Sequence, residues 1–178
     1  MAASELYDAA SAILHVAAGA LASSPRGTPE AAYVAFGPPP FDTGPGTDCG
    51  DSLSVHLTGI QVSPATIGQG TAVGADTLIM TRIPIVVLGL FVVEVLRCVL
   101  IVDDEGFPAP ADLDAEASDL YQDGWIVWNT MVQTQREGGL VGAACTLLQV
   151  GDSDVIPAEG GVAGWRVPVI AQIDAGLG

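Results

Sequence analysis

Acidic side chains form the clusters in this chain whose spacing could support chemistry. Asp103, Asp104 and Glu105 follow a long apolar segment, and Asp152 and Asp154 lie close together later in the chain. Neighbouring carboxylates can hold Ca²⁺ or act as a general acid and base. The run Asp-Asp-Glu-Gly-Phe-Pro lacks the alternate spacing of a calcium loop, and solvated acidic turns are common. A small hydrolase or ligand-binding module that uses these acids is therefore kept as one hypothesis.

Other signatures of catalysis or cofactor binding are absent from the sequence. His15 and His56 stand alone, outside any H-x-x-H or H-E-x-x-H arrangement, and neither forms a recognisable metal pattern with Cys49. The chain has no Lys, so it cannot carry the phosphate loop G-x-x-x-x-G-K-[ST], and it has no G-x-S-x-G. The sequence predicts a protein that is not an enzyme, with no catalytic residues, no bound metal and no cofactor.

The charge composition narrows the class of partner. Only 15% of the 178 residues are charged, against about 25% in an average soluble domain. Five basic residues, all Arg, oppose 21 acidic ones, which gives a net charge of −16. A chain without Lys offers little to phosphates or anionic lipids, so direct binding to nucleic acid or to a membrane surface is not expected. The shortage of charges predicts a homo-oligomer with large apolar interfaces.

Residues 83–102 form the longest apolar segment, IPIVVLGLFVVEVLRCVLIV. The segment could cross a bilayer by length, but Glu94 and Arg97 near its middle would each cost about 2.5–3.5 kcal/mol in a membrane helix. Its many Val and Ile residues favour a strand. In that strand Glu94 shares a face with Leu90, and Arg97 shares the other face with Phe91. Both faces are apolar and need a cover, and another copy of the chain could supply the second one.

These segments are predicted to form one α+β domain over residues 1–178, with a single mostly antiparallel β-sheet and two packed α-helices. Pro168 is expected to make the last strand an edge, or to direct its missing donor outwards. The predicted elements are an N-terminal helix over 3–22, strands within 31–102 including Ala31–Phe36 and Ser52–Thr58, a bulge at Gly59, either two strands over 77–88 and 89–102 or one long bent strand, a helix over 112–137, and a C-terminal hairpin over 141–174 with a loop at 151–161.

Cysteine usage and the aromatic residues complete the predictions. The three cysteines, Cys49, Cys98 and Cys145, are odd in number and widely spaced, which predicts reduced thiols in a cytosolic setting.

Trp125 and Trp128 lie on adjacent faces of the second helix. Either both belong to the core and its flank, or Trp128 packs on the sheet while Trp125 anchors a neighbouring subunit. The apolar stripe of this helix is expected to contain Leu113, Ala117, Leu120, Tyr121, Gly124, Val127, Trp128 and Met131. The candidate subunit-interface residues are Trp125, Phe91, Phe107 and Trp165.

The order of segments resembles that of the tail terminator proteins of long-tailed bacteriophages, especially those that infect actinobacteria. The resemblance covers nearly the whole chain, but its motifs are diffuse, so no functional residue is carried over from the family. The segments that carry it are a helical start, a Pro-rich loop ending Asp48-Cys49, the strand LSVHL at 53–57, the strand VEVLRC at 93–98, the helical segment DLYQDGW at 119–125 and the closing GWRVPV at 164–169.

This resemblance implies a structural role in the virion. The expected assembly is a ring of six subunits, as the resemblance implies, and this ring ends the tail tube and joins it to the head connector. The expected partners are other copies of the chain, the major tail-tube protein and a head–tail connector or stopper. DNA would pass through without specific binding, since an acidic wall repels phosphates. The expected location is the tail or neck of the virion, after assembly in the host cytoplasm. A different connector, a stopper or a tail-tube subunit is the alternative.

Overall fold

Two helices and six strands make up the part of the chain that the computed structural model describes, residues 3–35, 37, 50–64, 85–100, 106–138, 145–159 and 161–173. The elements are α1 (Ala3–Leu21), β1 (Ala31–Ala35), β2 (Ser52–Pro64), β3 (Ile85–Cys98), α2 (Pro110–Arg136), β4 (Cys145–Val150), β5 (Asp154–Glu159) and β6 (Val162–Ile173). The strands join in one sheet in the order β1-β2-β3-β6-β4, and β5 also pairs with β6. Only the β1–β2 pair is parallel among these strands. The predicted α+β fold, a mostly antiparallel sheet with two packed helices, is confirmed.

The C-terminal hairpin has an interrupted first strand. Cys145 in β4 pairs with Ile173, and Asp154 in β5 pairs with Arg166, so both strands run antiparallel to consecutive parts of β6. Residues 151–153 separate them and carry no strand assignment. The hairpin prediction is confirmed, but the predicted loop at 151–161 is wrong in part, because β5 occupies most of it.

Pro168 lies in an interior strand, which corrects the prediction of an edge. β6 is paired with β3 on one side and with β4 and β5 on the other. The Pro168 carbonyl accepts a hydrogen bond from the Gly151 N–H at 2.8 Å. Since N–H and C=O of one strand residue point to the same side, the donor that Pro168 lacks is directed at the interruption between β4 and β5. The gap in the neighbouring strand therefore accommodates the proline.

Strands β2 and β3 confirm the predicted bulge and the predicted strand in the apolar segment. The β2–β3 register shifts between Leu57 and Gly59, which confirms the bulge. The apolar segment forms one strand, β3, over Ile85–Cys98, whereas residues 77–84 of the predicted strands lie outside the described part.

The hydrophobic core lies between one face of the sheet and the two helices. Phe91, Val93 and Val95 of β3 point into it and are at most 1% exposed. Complete burial of such a side chain contributes about 1.5–3 kcal/mol. The other core side chains include Ile13, Ala17 and Leu21 of α1, Leu53 and Val55 of β2, Val127 and Met131 of α2, and Val167 and Val169 of β6. The position of Phe91 corrects one prediction, since a side chain inside the core of its own chain cannot form a subunit contact.

The opposite face of the sheet carries buried polar groups. Ser54, His56 and Glu94 are 1%, 4% and 0% exposed, although the alternation in β2 placed Ser54 and His56 on an outward face. Leu90 and Val92 on the same side of β3 are half-buried. Both faces of β3 were expected to be covered, and the burial of Glu94 agrees with this. The neighbouring polar residues Ser54 and His56 are buried as well, although the sequence pattern placed them on an exposed face.

Helix α2, the longest element described, begins at Pro110, two residues before the predicted start at 112, and ends at Arg136, one residue before the predicted end at 137. Pro110 stands in the first turn after Ala109, whose extended backbone has φ −62° and ψ 141°, and Asp112 adds an acid to that turn. Arg136 lies in the last turn, and Gly138 with φ 89° follows. A positive φ suits glycine, so Gly138 ends the helix without strain.

The cysteines correct a further prediction. Cys145 is a buried thiol, as expected, but Cys98 is disulfide-bonded. The odd count of cysteines therefore misled the prediction of three reduced thiols. Cys49 lies outside the described residues.

Candidate functional site

Four aromatic side chains gather where α2 crosses the C-terminal hairpin. They are Tyr121, Trp125 and Trp128 of α2 and Trp165 of β6, and together they are called the aromatic surface below. Tyr121 is 65% exposed and Trp125 62%, while Trp128 and Trp165 are half-buried. Exposed aromatic groups of this size are costly for a surface and are enriched in protein–protein contacts.

Glycine in α2 allows Trp165 to reach the helix backbone. A Cβ atom built at Gly124 would overlap the Trp165 indole, so no other residue fits there without displacing the ring. The Trp165 and Tyr121 rings meet edge to face, with centroids 6.0 Å apart and an interplanar angle of 62°. This geometry is favourable for aromatic pairs. Trp165 therefore attaches β6 to α2 and supports the exposed Tyr121 from below.

Trp128 supports the exposed Trp125 ring in the same way that Trp165 supports Tyr121. Its Nε1–H donates to the Gly151 carbonyl at 3.1 Å, and its ring packs against the core. The Trp125 ring lies 5.6 Å from that of Trp128, tilted by 31°. The locations match one of the two predicted alternatives, in which Trp128 packs on the sheet and Trp125 faces outwards. Whether Trp125 anchors a neighbouring subunit stays a prediction.

Three open hollows surround Tyr121, which lines all of them. One lies against β5 and β6, one reaches Asp152 in the interruption of the hairpin, and one follows the outer side of α2 to Asp114. Asp114 and Asp152 are the charged side chains that line them, and no described basic residue does so. The aromatic surface therefore combines exposed rings with negative charge on two sides.

The four predicted interface residues lie in different parts of the structure. Trp125 and Trp165 belong to the aromatic surface, Phe107 is 85% exposed just before α2, and Phe91 is buried in the core. The helix stripe also needs correction, because Tyr121 was expected inside and lies outside. The buried positions of α2 are Asp123, Gly124, Val127 and Met131, while Leu113 at 42% joins the exposed side.

A second cluster of interest lies on the sheet face away from the helices. It contains Ser54, His56, Glu94 and Arg166, and it is called the glutamate cluster below. Glu94 Oε2 accepts from Arg166 Nε at 3.2 Å, and the arginine side chain is 43% exposed. The Ser54 hydroxyl, His56 Nδ1 and Glu94 Oε1 are buried and have no hydrogen-bond partner in the described part of the chain.

The residue types Ser, His and Glu invite a test for nucleophilic catalysis. An activated serine needs a hydrogen bond to its base, and the base needs one to an orienting group. Since Ser54 Oγ and His56 Nδ1 are both unpartnered, the required chain of bonds is not formed here. Burial lowers the pKa of His56, and Arg166 lowers it further, while Glu94 opposes them by raising it. Because the Ser54 hydroxyl has no bond to an imidazole, this arrangement gives no support to a nucleophilic serine.

Arg97, a buried arginine near the C-terminal end of β3, bonds to three neighbouring groups. Arg97 is 0% exposed, and its Nε donates to Asp123 Oδ2 at 2.7 Å. Its Nη1 lies 2.9 Å from Asp51 Oδ2, and its Nη2 donates to the Gly27 carbonyl at 2.5 Å. These bonds join α2, β3, the start of β2 and the loop after α1.

Neighbouring polar groups complete this network. Asp51 also binds the Arg26 guanidinium at 3.3 Å and accepts from the Cys98 N–H at 2.8 Å. The Ser24 hydroxyl donates to Asp123. The set of Ser24, Arg26, Gly27, Asp51, Arg97, Cys98 and Asp123 is called the arginine clasp below. Because its charges are bonded to one another, we assign it a structural role.

Within the described residues, the acidic groups that suggested chemistry form no metal-binding cluster. Asp103, Asp104 and Glu105 lie outside the described residues, and Asp152 and Asp154 are exposed. Within the described ranges, no three His, Cys, Asp or Glu side chains come close enough to hold a metal ion. His15, the other predicted isolated histidine, is exposed on α1.

No helix of the described part combines the length and the apolarity that crossing a bilayer requires. Known proteins offer no assignment either, since no protein-family model matches the chain and no curated protein shows significant sequence similarity to it.

Proposed function

We propose that this chain is a structural virion protein, a subunit of a ring that terminates the tail tube of a long-tailed phage and joins it to the head connector. The resemblance described above suggests this identity. The observation that carries the proposal is the aromatic surface, with Tyr121 and Trp125 about two-thirds exposed on a chain of only 15% charged residues. Such a surface is costly unless another protein covers it.

The charge of the chain supports the passage of DNA through the assembly. With a net charge of −16 and no Lys, the chain has no row of basic side chains that could bind the DNA phosphates. A ring of several such subunits would present strong negative potential to a DNA strand in its lumen, which favours sliding over adhesion. Its partners on this proposal are further copies of the chain, the tail-tube protein and the connector or stopper.

Assembly tests the proposal directly. The purified chain, alone and mixed with the tail-tube protein of the same phage, is examined by sedimentation velocity and electron microscopy. We expect annular particles several times heavier than the 18.1 kDa chain, at least in the mixture. A species that stays monomeric in both samples at every concentration contradicts the ring.

Loss of the gene gives the second arm of the test. In a phage lacking it, lysates should contain filled heads and tails that remain unjoined, and supplying the chain in trans should restore whole particles. Tails of normal length joined to heads without the chain would rule out the terminator role. Labelling of the chain in intact particles separates a terminator from a stopper, a connector or a tail-tube subunit, since each occupies a different level of the neck or tail.

A further inference from the structure

The carboxylates beside the aromatic surface have no partner within the described chain. Asp114 and Asp152 form neither ion pairs nor hydrogen bonds there, in contrast to Asp51 and Asp123 of the arginine clasp. Both are exposed, and they border Tyr121 and Trp125 from different hollows. The rings therefore lie between two uncompensated negative charges.

The chain has few cations with which to satisfy this site. Arg26, Arg97 and Arg166 are held in ion pairs with acids of the same chain, and Arg136 is the remaining arginine among the described residues. A second copy of the chain would bring a further net charge of −16 towards Asp114 and Asp152. Like charges brought together at a contact oppose binding, so charge complementarity favours a partner that is basic where this chain is acidic.

Aromatic rings with nearby carboxylates match one chemical group in particular. A guanidinium stacks flat on an open indole or phenol ring through cation–π attraction, and its N–H groups can bind a carboxylate at the same time. Lysine offers a strongly hydrated point charge without a flat face, so it stacks less well on an open ring. Trp125 and Tyr121 are open to solvent, as stacking of this kind requires.

We propose that the aromatic surface binds an arginine-bearing segment of a partner protein, with a guanidinium stacked on Trp125 or Tyr121 and bonded to Asp152 or Asp114. This assigns Trp125 and Trp165 to a contact with a different protein instead of a contact between identical subunits. The inference deepens the proposed function and rests on it for the identity of the partner, which would be the tail-tube protein or the connector. Binding itself can be measured without any ring.

The test uses a labelled peptide of about ten residues in which arginine alternates with glycine and serine. Its binding to the full chain is followed by fluorescence anisotropy and by quenching of tryptophan fluorescence. The matched control peptide replaces each arginine with citrulline, which keeps the shape and removes the charge. We expect saturable binding of the arginine peptide, weakening by about tenfold or more with citrulline, and weakening with added salt.

Variants of the chain locate the site. Trp125→Ala and the double variant Asp114→Asn, Asp152→Asn should each weaken binding several-fold, and both change exposed side chains whose loss leaves the core intact. Tyr7→Ala is the matched control, because Tyr7 is 58% exposed on α1 and lines none of the hollows. Thermal melts of each variant confirm that it is folded.

Three results would overturn the inference. They are equal affinity for the citrulline peptide, unchanged affinity in both site variants, and self-association of the chain that Trp125→Ala and Arg136→Gln both abolish. The last result would show that a second copy occupies the surface. A failed peptide test leaves the ring proposal standing, and a monomeric chain that binds the arginine peptide supports this inference while contradicting the ring.

Discussion

The arginine clasp and the glutamate cluster each contain a buried charged residue of β3, but the two residues differ in how completely they are hydrogen-bonded. Arg97 and Glu94 are both 0% exposed in β3, on opposite faces of the sheet. Arg97 bonds to two carboxylates and a backbone carbonyl. Glu94 bonds only to Arg166 among the described residues, and one of its oxygens is left without a partner.

This difference shows that burial of a charge does not by itself reveal its role. A buried ion pair stabilises a fold best when further hydrogen bonds satisfy its charged groups, as the Gly27 carbonyl and the Ser24 hydroxyl do in the clasp. In the glutamate cluster the arginine partner is 43% exposed, and water can compensate it. The two sites should therefore respond differently to the loss of a charged partner.

The largest effect is expected from the clasp. Arg97→Ala leaves Asp123 buried at 0% exposure without its cation, which should lower the free energy of unfolding by about 3–5 kcal/mol. Chemical denaturation monitored by circular dichroism measures this loss. Arg136→Ala is the control, because Arg136 is exposed on α2 and has no ion pair with a described residue, and it should change stability little. A loss below about 1 kcal/mol for Arg97→Ala would show that the clasp is dispensable.

The glutamate cluster should respond unequally to its two partners. Arg166→Gln leaves the buried Glu94 carboxylate uncompensated and should cost about 2–3 kcal/mol. Glu94→Gln keeps the shape of the side chain and leaves an arginine that water can reach, so its cost should be about 1 kcal/mol. Denaturation of both variants under one set of conditions gives the two values. The reverse order would mean that Arg166, and not Glu94, is the charge in need of a partner.

The smallest effect concerns pH. Burial lowers the pKa of His56 below its unfolded value of about 6.5, so below that pH the unfolded chain binds a proton that the folded chain does not. Stability should fall as the pH decreases from about 6.5, by at most about 1.4 kcal/mol per pH unit from this group. Melting temperatures between about pH 5 and pH 7 measure the slope, which His56→Gln should reduce. His15→Gln, which removes the exposed histidine of α1, is the matched control variant.

Local patterns in the sequence predicted the elements well. The 3.6-residue periodicity located α1 and α2, and the phase change at Gly59 located the bulge, because both signals depend only on neighbours in the chain. The mixed sheet face was harder. Ser54 and His56 look outward by alternation, yet both are buried in the folded chain, which the pattern along one strand cannot reveal.

The aromatic surface was predicted in part for the same reason. Trp125 and Trp165 were candidates from their residue type, but Tyr121 was placed on the wrong side of α2, because a large ring fits an apolar stripe as well as an interface. Gly124 carries a signal that could have helped. A glycine inside an otherwise regular helix often marks a close approach by another side chain, here Trp165. Which ring approaches it depends on the packing of β6, which no local pattern contains.

Gly151 couples two parts of the molecule through a single peptide unit. Its N–H secures Pro168 of β6, and its carbonyl holds the Trp128 indole of α2. If β4 slid along β6 by one residue, every side chain of β4 would exchange faces, and the carbonyl would turn away from the helix. Trp125 would then lose the support of the Trp128 ring, and Asp152 would change position. The arginine binding proposed for this helix therefore depends on the interruption between β4 and β5.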